Sequence, residues 1–201
     1  MSCDAERREV VALVMAAGVA SRFGSDKRRH VMADGRTMLA TILGAILPAY
    51  PRVCLVVRPG EPLAWLDSEL VGTLRCLEAP HAERGLGASL GDAFRELNRH
   101  GETAVAAAVI LADMPWLTMR TCERLNRHAE AGRIVIPQHA GRRGHPVLFG
   151  RNFWEELASL EGGEGAREVV ARHRQAMVLI DVDDAGIWRD VDFSGDLPDG
   201  G

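Results

Sequence analysis

The strongest constraint on this chain is a series of short, unbroken apolar runs. Val10 to Met15 reads Val-Val-Ala-Leu-Val-Met with no polar residue. A strand apolar on both faces must be covered on both faces, the habit of a central strand in a parallel sheet. Further runs cover Arg52 to Arg58, Gly72 to Glu78 (the weakest), Val105 to Ala112, Ile134 to Pro137 and Met177 to Val182. The longest apolar stretches, Val10 to Ala20 and Ala104 to Ala112, fall short of the roughly 20 residues that a membrane span needs.

Helical spacing fills the gaps. Met38, Leu39, Ile42, Leu43, Ile46 and Leu47 form one apolar face that stops at Pro48. Leu63, Leu66 and Leu70 repeat the pattern more briefly, and Leu86, Leu90, Ala93, Phe94 and Leu97 make a third face. Leu117, Cys122 and Leu125 predict a fourth helix, with Thr118, a helix-capping residue type, before the helix proper. Phe153, Trp154, Leu157 and Leu160, then Ala166, Val169 and Val170, predict two late helices. Alternating strands and helices imply βαβ crossovers and a mostly parallel sheet. Such sheets bind ligands beyond the carboxyl ends of their strands, so those loops carry the chemistry.

Composition narrows the functional classes. Lys plus Arg number 24 against 28 Asp plus Glu, a net charge of −4, which disfavours a basic nucleic-acid-binding module. Hydrophobic residues are 47% of the 201, too many for a disordered chain. The length suits one domain over residues 1–201, with 1–9 and 198–201 as flexible tails. Cys3, Cys54, Cys76 and Cys122 form no CxxC pair, which argues for reduced, mostly buried thiols rather than zinc or disulfides. The opening MSCDAERREV mixes charges of both signs and shows no leader pattern, so the expected location is cytoplasmic, off the membrane.

The first strand runs into Ala16-Ala17-Gly18-Val19-Ala20-Ser21-Arg22-Phe23-Gly24-Ser25-Asp26-Lys27. Small residues after a buried strand let backbone N–H groups approach and cradle phosphates. Arg22 adds a planar donor fork and Lys27 a mobile point charge. The same loop also reads as a turn with two solvated cations. GxxxxGK[ST] is absent, because Gly18 and Gly24 are six apart and Lys27 follows no glycine. GxGxxG is absent too, which disfavours a dehydrogenase.

These residues resemble the LAAGxSxRMGxxK signature of MobA-like nucleotidyltransferases, and most of all the molybdenum cofactor cytidylyltransferases. The matching positions are Ala16, Ala17, Gly18, Arg22, Gly24 and Lys27; the pair Ala16-Ala17 is closer to that branch than to the guanylyl-transferring one. Ala20 departs from the usual small polar residue, and Arg28, Arg29 and His30 stand where the family turns apolar. The resemblance implies a Rossmann-like three-layer α/β/α sandwich of the nucleotide-diphospho-sugar transferase kind.

Five more segments match or resemble the family's motifs, in the family's order, so the resemblance spans roughly residues 10–197. Leu111-Ala112-Asp113-Met114-Pro115 repeats the family's LADMP. One carboxylate at a strand tip can ligate Mg²⁺, and the family makes Asp113 a metal-binding aspartate. Arg84-Gly85-Leu86-Gly87-Ala88-Ser89-Leu90 opens a helix that Ser89 can cap, and is similar to the family's GMxxSL beside the base and ribose. It assigns Gly85, Gly87 and Ser89 to the nucleotide. Gly144-His145-Pro146-Val147-Leu148-Phe149 matches GHPxLF on the acceptor side, although a lone histidine is more often structural. Glu164-Gly165-Ala166-Arg167 resembles a GDxGAR helix start, with Arg167 toward an acceptor phosphate. Asp190-Val191-Asp192-Phe193-Ser194 resembles DIDTP, with Phe193 and Ser194 as departures, and makes Asp192 the second metal ligand with Asp190 the alternative.

The implied reaction is Mg²⁺-dependent transfer of CMP from CTP to the phosphate of a molybdopterin-type acceptor, releasing pyrophosphate, with Arg22, Lys27 and Asp113 acting on the reacting phosphates. The partners so implied are a nucleoside triphosphate, a phosphorylated pterin, and transient contact with a molybdoenzyme or its chaperone. A same-fold transferase acting on a sugar phosphate, or a nucleotide-binding module without turnover, stands as the alternative.

Overall fold

In the computed structural model, which describes residues 9–18, 26–162 and 165–191, β1 (Val10–Met15) is buried along its whole length. Its side chains alternate between two cores. Val10, Ala12 and Val14 enter one with α1 (Met38–Ile46) and α4 (Met119–Asn126). Val11, Leu13 and Met15 enter the other with α3 (Leu86–Arg99), α5 (Trp154–Ala158) and α6 (Arg167–Arg172). An all-apolar strand thus yields three layers, helices on both sides of the sheet.

The remaining strands are β2 (Arg52–Val57), β3 (Arg75–Glu78), β4 (Ala106–Leu111), β5 (Ile134–His139), β6 (Arg142–Arg143), β7 (Val147–Gly150) and β8 (Met177–Asp181). The order is β3-β2-β1-β4-β7-β5-β6, with β8 paired to β5. β3, β2, β1 and β4 run parallel, as do β5 and β8. β7 is antiparallel to both β4 and β5.

The antiparallel insertion departs from the sequence reading, which took Gly144 to Phe149 as a motif and not as a strand. The reversal needs only the two-residue turn Ala140-Gly141, both with positive φ (48° and 77°), the geometry favoured between twisted antiparallel strands. Helical spacing at Leu63, Leu66 and Leu70 overreached: α2 covers only Ser68–Gly72, started by Asp67, whose carboxylate accepts from the N–H groups of Glu69 and Leu70. Thr118 caps α4 as its residue type foretold, accepting from Thr121 N. Cys54 and Cys122 are free and buried, but Cys76 is free and exposed because it sits on an edge strand. Cys3 lies outside the described residues. No helix among the described residues is long and apolar enough to cross a membrane.

Candidate active site

Strand order reverses between β1 and β4: β2 and β3 lie on one side of β1, and the chain then crosses to lay β4 on the other. Open α/β sheets leave a crevice at such a point, beyond the carboxyl ends. Here Met15 pairs with Leu111, and Ala112 N–H donates to Met15 O at 3.3 Å. The two chains then diverge around a cavity of about 400 Å³.

Ala16, Ala17, Gly18, Lys27, Gly85, Ser89 and Asp113 all line it, although they come from three distant segments. The methyls of Ala16 and Ala17 are buried, one in each core, which turns their backbone toward the cavity. A Cβ on Gly18 would meet nothing within 4 Å among the described residues, so packing by those residues does not call for a glycine there. Arg22 and Gly24, assigned to the nucleotide from sequence, lie outside the described residues.

The cavity's charge is concentrated at its sheet end. Lys27 Nζ donates to Asp113 Oδ2 in an ion pair, and to the carbonyl of Val191 at 3.3 Å. Val191 N–H donates to the carbonyl of Asp113 at 3.0 Å, which pins the C-terminal segment onto the LADMP turn. Among the described residues, buried Asp113 Oδ1 has no hydrogen-bond partner. An unclaimed carboxylate oxygen suits a hard divalent cation. Among the described residues no three His, Cys, Asp or Glu side chains converge to hold a metal. The donor set therefore fits an ion held by one or two carboxylates with substrate phosphates completing its shell, as Mg²⁺ is commonly bound. Asp192 lies outside the described residues, next in sequence to the pinned Val191.

The start of α3 differs from the sequence reading in two details. Gly85 (φ 103°), not Ser89, occupies the cap position. Ser89 sits in the first turn, and its hydroxyl donates back to Gly85 O at 3.4 Å. Gly87 lines neither cavity. A Cβ there would lie under 3.0 Å from the backbone of Gly162, so this glycine lets α3 pack against Gly162 and Gly165.

Leu86 and Leu111 also border a second cavity of about 840 Å³. His145, Arg167 and Asp190 line it, whereas Pro146 is buried behind it. The returning hairpin strand carries a bulge here: residues 144–147 stand opposite 136–137 between the paired positions Val135↔Leu148 and Gln138↔Arg143. The bulge rests on the turn Ala185–Trp188, with His145 N–H donating to Ile187 O at 2.6 Å. A Cβ on Gly144 would fall under 3.0 Å from Ile187 O, which is why a glycine precedes the histidine. His145 Nδ1 lies 3.4 Å from Val109 O, an acceptor, so Nδ1 is the protonated nitrogen and Nε2 is left to accept. Burial lowers the imidazole pKa below its usual range despite the neighbouring acids Asp113 and Asp190, so the ring is neutral at pH 7.

Among the described residues, four arginines face this cavity, Arg142, Arg143, Arg167 and Arg174, against the one acid Asp190. Arg142 lies 4.3 Å over the Trp188 ring. The sequence reading named only Arg167 among them, although the pair Arg142-Arg143 stands directly before the GHP motif. It also left Asp184 unread. That buried carboxylate accepts from the hydroxyls of Thr118 (2.7 Å) and Thr121 (2.6 Å) and from Gly186 N (2.9 Å), fastening the 185–188 turn to α4. The departures after Lys27 divide. Arg29 lies 4.9 Å over the Trp65 ring and 3.2 Å from Asp26, and Arg28 turns inward.

A cavity of about 400 Å³ at a sheet switch point, lined by a lysine–aspartate pair and adjoined by a larger cationic cavity, is an arrangement that suits a nucleotide-binding α/β protein. The model of the MobA-like NTP transferase domain matches residues 12–177, and the chain belongs to that family. No curated protein sequence matches it. Among solved structures it is similar to the Rv0371c protein of Mycobacterium tuberculosis H37Rv, at 24% identity over 94% of this chain and 95% of that one, TM-score 0.73. That protein has also been solved in complex with manganese (23%, 94% and 95%, TM-score 0.68). A nucleotidyl transferase from Methanothermobacter thermautotrophicus matches at 18% identity over 94% of each chain, TM-score 0.75. Molybdopterin-guanine dinucleotide biosynthesis protein A from Archaeoglobus fulgidus matches at 17% over 93% and 94%, TM-score 0.63. At these identities the likeness establishes the shared fold.

Proposed function

We propose that this protein transfers CMP from CTP to the terminal phosphate of a molybdopterin-type acceptor and releases pyrophosphate. The observation that carries the reading is the pair of adjoining cavities: one of about 400 Å³ at the β1–β4 switch point, and an arginine-lined one of about 840 Å³ that shares Leu86 and Leu111 with it. A triphosphate fits the first and a bulky anionic acceptor the second. An oxygen of the acceptor phosphate attacks the α-phosphorus. The bond from that phosphorus to the bridging α,β-oxygen breaks, and its electron pair leaves with pyrophosphate. The nucleophile is already anionic at neutral pH, so no proton need be removed.

What opposes the step is repulsion between anions and charge gathering on the leaving group. Lys27 and Arg22 act on that charge. Asp113 would hold Mg²⁺, with Asp192 as second ligand and Asp190 the alternative. The bound ion supplies charge neutralisation and alignment of the triphosphate oxygens. Arg167, with the other arginines of the second cavity, draws the acceptor phosphate in, and His145 beside Pro146 shapes the wall. Ala16, Ala17, Gly18, Gly24, Gly85 and Ser89 present backbone and hydroxyl groups to the nucleotide.

Two features of relatives support this reading. One neighbour is named a molybdopterin-guanine dinucleotide biosynthesis protein, which supports the pterin acceptor and not the cytidine donor, and another has been solved with manganese. A thermal-shift panel of CTP, GTP, ATP and UTP with Mg²⁺ or Mn²⁺ tests the donor. The expected result is the largest stabilisation with CTP; a clear preference for GTP overturns the cytidylyl assignment. Pyrophosphate release that requires the molybdopterin cofactor tests the acceptor, and equal release with a small sugar phosphate would favour the alternative transferase.

A further inference from the structure

After Asp181, where β8 ends, residues 182–191 form no strand, yet they touch both cavities. Ile187, Trp188 and Asp190 line the larger one. Ile187 O accepts from His145 N–H at 2.6 Å, and Arg142 stands 4.3 Å over the Trp188 ring. At the smaller one, Val191 N–H donates to Asp113 O at 3.0 Å, and Val191 O accepts from Lys27 Nζ at 3.3 Å. A segment without ladder bonds takes its position from contacts of this kind. These leave it no slack: a Cβ on Gly186 would fall under 3.0 Å from Trp116 O, and one on Gly144 under 3.0 Å from Ile187 O.

What anchors the segment is a residue that lines neither cavity. Asp184 is 8% exposed, and its carboxylate gathers four donors. Oδ2 accepts from the hydroxyls of Thr118 (2.7 Å) and Thr121 (2.6 Å) and from Thr118 N–H (3.2 Å); Oδ1 accepts from Gly186 N–H (2.9 Å). The first three belong to the start of α4, 63 to 66 positions away, and the fourth to the turn itself. We propose that Asp184 is a positioning residue for the acceptor: it fastens residues 185–191 to α4 and so sets the wall of Ile187, Trp188 and Asp190, and the backbone of His145, against the Lys27–Asp113 pair. The inference rests on the nucleotidyltransferase reading of the two cavities. Attack on phosphorus needs the acceptor oxygen in line, and a misplacement of about 1 Å can cost on the order of 10²-fold in rate. The nucleotide side depends less on this anchor, because Lys27 and Asp113 hold each other directly.

The test separates placement from stability. In Asp184→Asn an amide N–H must face either Thr118 N–H or Gly186 N–H, so a bond is lost whichever way the group turns. Pyrophosphate release from CTP with Mg²⁺ is measured with whichever of the molybdopterin cofactor and a small sugar phosphate the wild type turns over, at a temperature where each variant is folded. The expected outcome is a KM for the acceptor raised on the order of tenfold or more, with the KM for CTP within about threefold of wild type. Thr121→Val removes one hydroxyl at nearly constant shape and should raise the acceptor KM about fivefold, whereas Thr121→Ser keeps the hydroxyl and restores it. That pair decides the matter if Asp184→Asn does not fold. Glu102→Gln is the control. Glu102 is also a buried carboxylate, accepting from Thr103 N–H (2.8 Å) and Ala104 N–H (2.9 Å), but it precedes β4, at the end of the sheet away from the cavities. Its loss should lower the melting temperature and leave both KM values in place. An acceptor KM unchanged in Asp184→Asn and Thr121→Val, or shifted as much by Glu102→Gln, overturns the positioning role and leaves the nucleotidyltransferase reading standing. A wild-type protein that releases no pyrophosphate with either acceptor overturns both.

Discussion

The two cavities are built on different principles. The first is made mostly of backbone and small side chains at the ends of parallel strands, with one cation and one acid brought together by the sheet itself. The second is made of long side chains on a reversed hairpin strand and a helix, and is kept in shape by glycines that let backbones touch. A phosphate tail common to all nucleotides needs only N–H groups, a lysine and an acid, and a rigid sheet places these well. An acceptor with its own shape needs side chains, and the hairpin bulge at residues 144–147 carries them on a segment that pairs with β4 but not with β1.

The sharpest way to break this contrast is at Asp113. Asp113→Ala frees Lys27 and deletes the unclaimed oxygen while leaving both cores untouched, since the carboxylate sits beyond the end of β4. Turnover, measured as pyrophosphate release, is expected to fall on the order of 10²–10³-fold or more, the loss typical of a preorganised electrostatic group. The melting temperature should hold. Full activity in that variant would remove Asp113 from the chemistry of the first cavity.

The next test strikes the second region alone. Gly144→Ala forces a methyl into the Ile187 carbonyl, and overpacking of this kind costs about 1–3 kcal/mol. Because Ile187 belongs to the turn fastened by Asp184, the strain should reach the acceptor side: the KM for acceptor rises while nucleotide affinity is kept. A variant that loses CTP binding as severely as acceptor binding would show that the two cavities are not separable.

How much of this was legible follows the same division. β1, β2 and β4 announced themselves because a strand buried on both faces leaves a continuous apolar run, and Asp113, Lys27 and Gly18 follow from reading what stands at their ends. β7 is four residues long, and apolarity carries no sign of strand direction, so the antiparallel step between β4 and β5 stayed hidden. The positive-φ pair Ala140-Gly141 was the available clue. Arg28 read as a departure near the substrate because its partners, Ala16 and Glu61, stand 12 and 33 positions away and only the fold joins them. Gly87 read as a ligand glycine because packing against another backbone and packing against a nucleotide both call for a missing Cβ.

A milder test sharpens the acceptor side. Arg143→Ala and Arg174→Ala each remove one charge from a cavity that holds four arginines and one acid. A charge-assisted hydrogen bond lost from either is expected to raise the KM for a phosphorylated acceptor on the order of tenfold, with the Kd for nucleotide unchanged. Indifference of both variants to the acceptor would place it elsewhere.

The smallest effect probes the first region through acid. The Asp26 and Glu61 carboxyls titrate below their ordinary values of 3.8 and 4.5 when folded, Asp26 through its bond from Arg28 and Glu61 because Arg28 and Arg58 outweigh its burial. A group whose folded pKa is depressed binds fewer protons folded than unfolded at intermediate pH. Its stabilisation is therefore complete above the unfolded pKa and is lost as pH falls through the folded one. Melting temperatures taken from pH 6 down to pH 3 should drop in the wild type as these acids protonate. In Glu61→Gln the side chain no longer titrates, so the pH 6 value is expected to be lower and the drop toward pH 3 shallower. Parallel curves for the two proteins would mean that Glu61 contributes no pH-dependent stability, and that the segment around it is held by packing instead of charge.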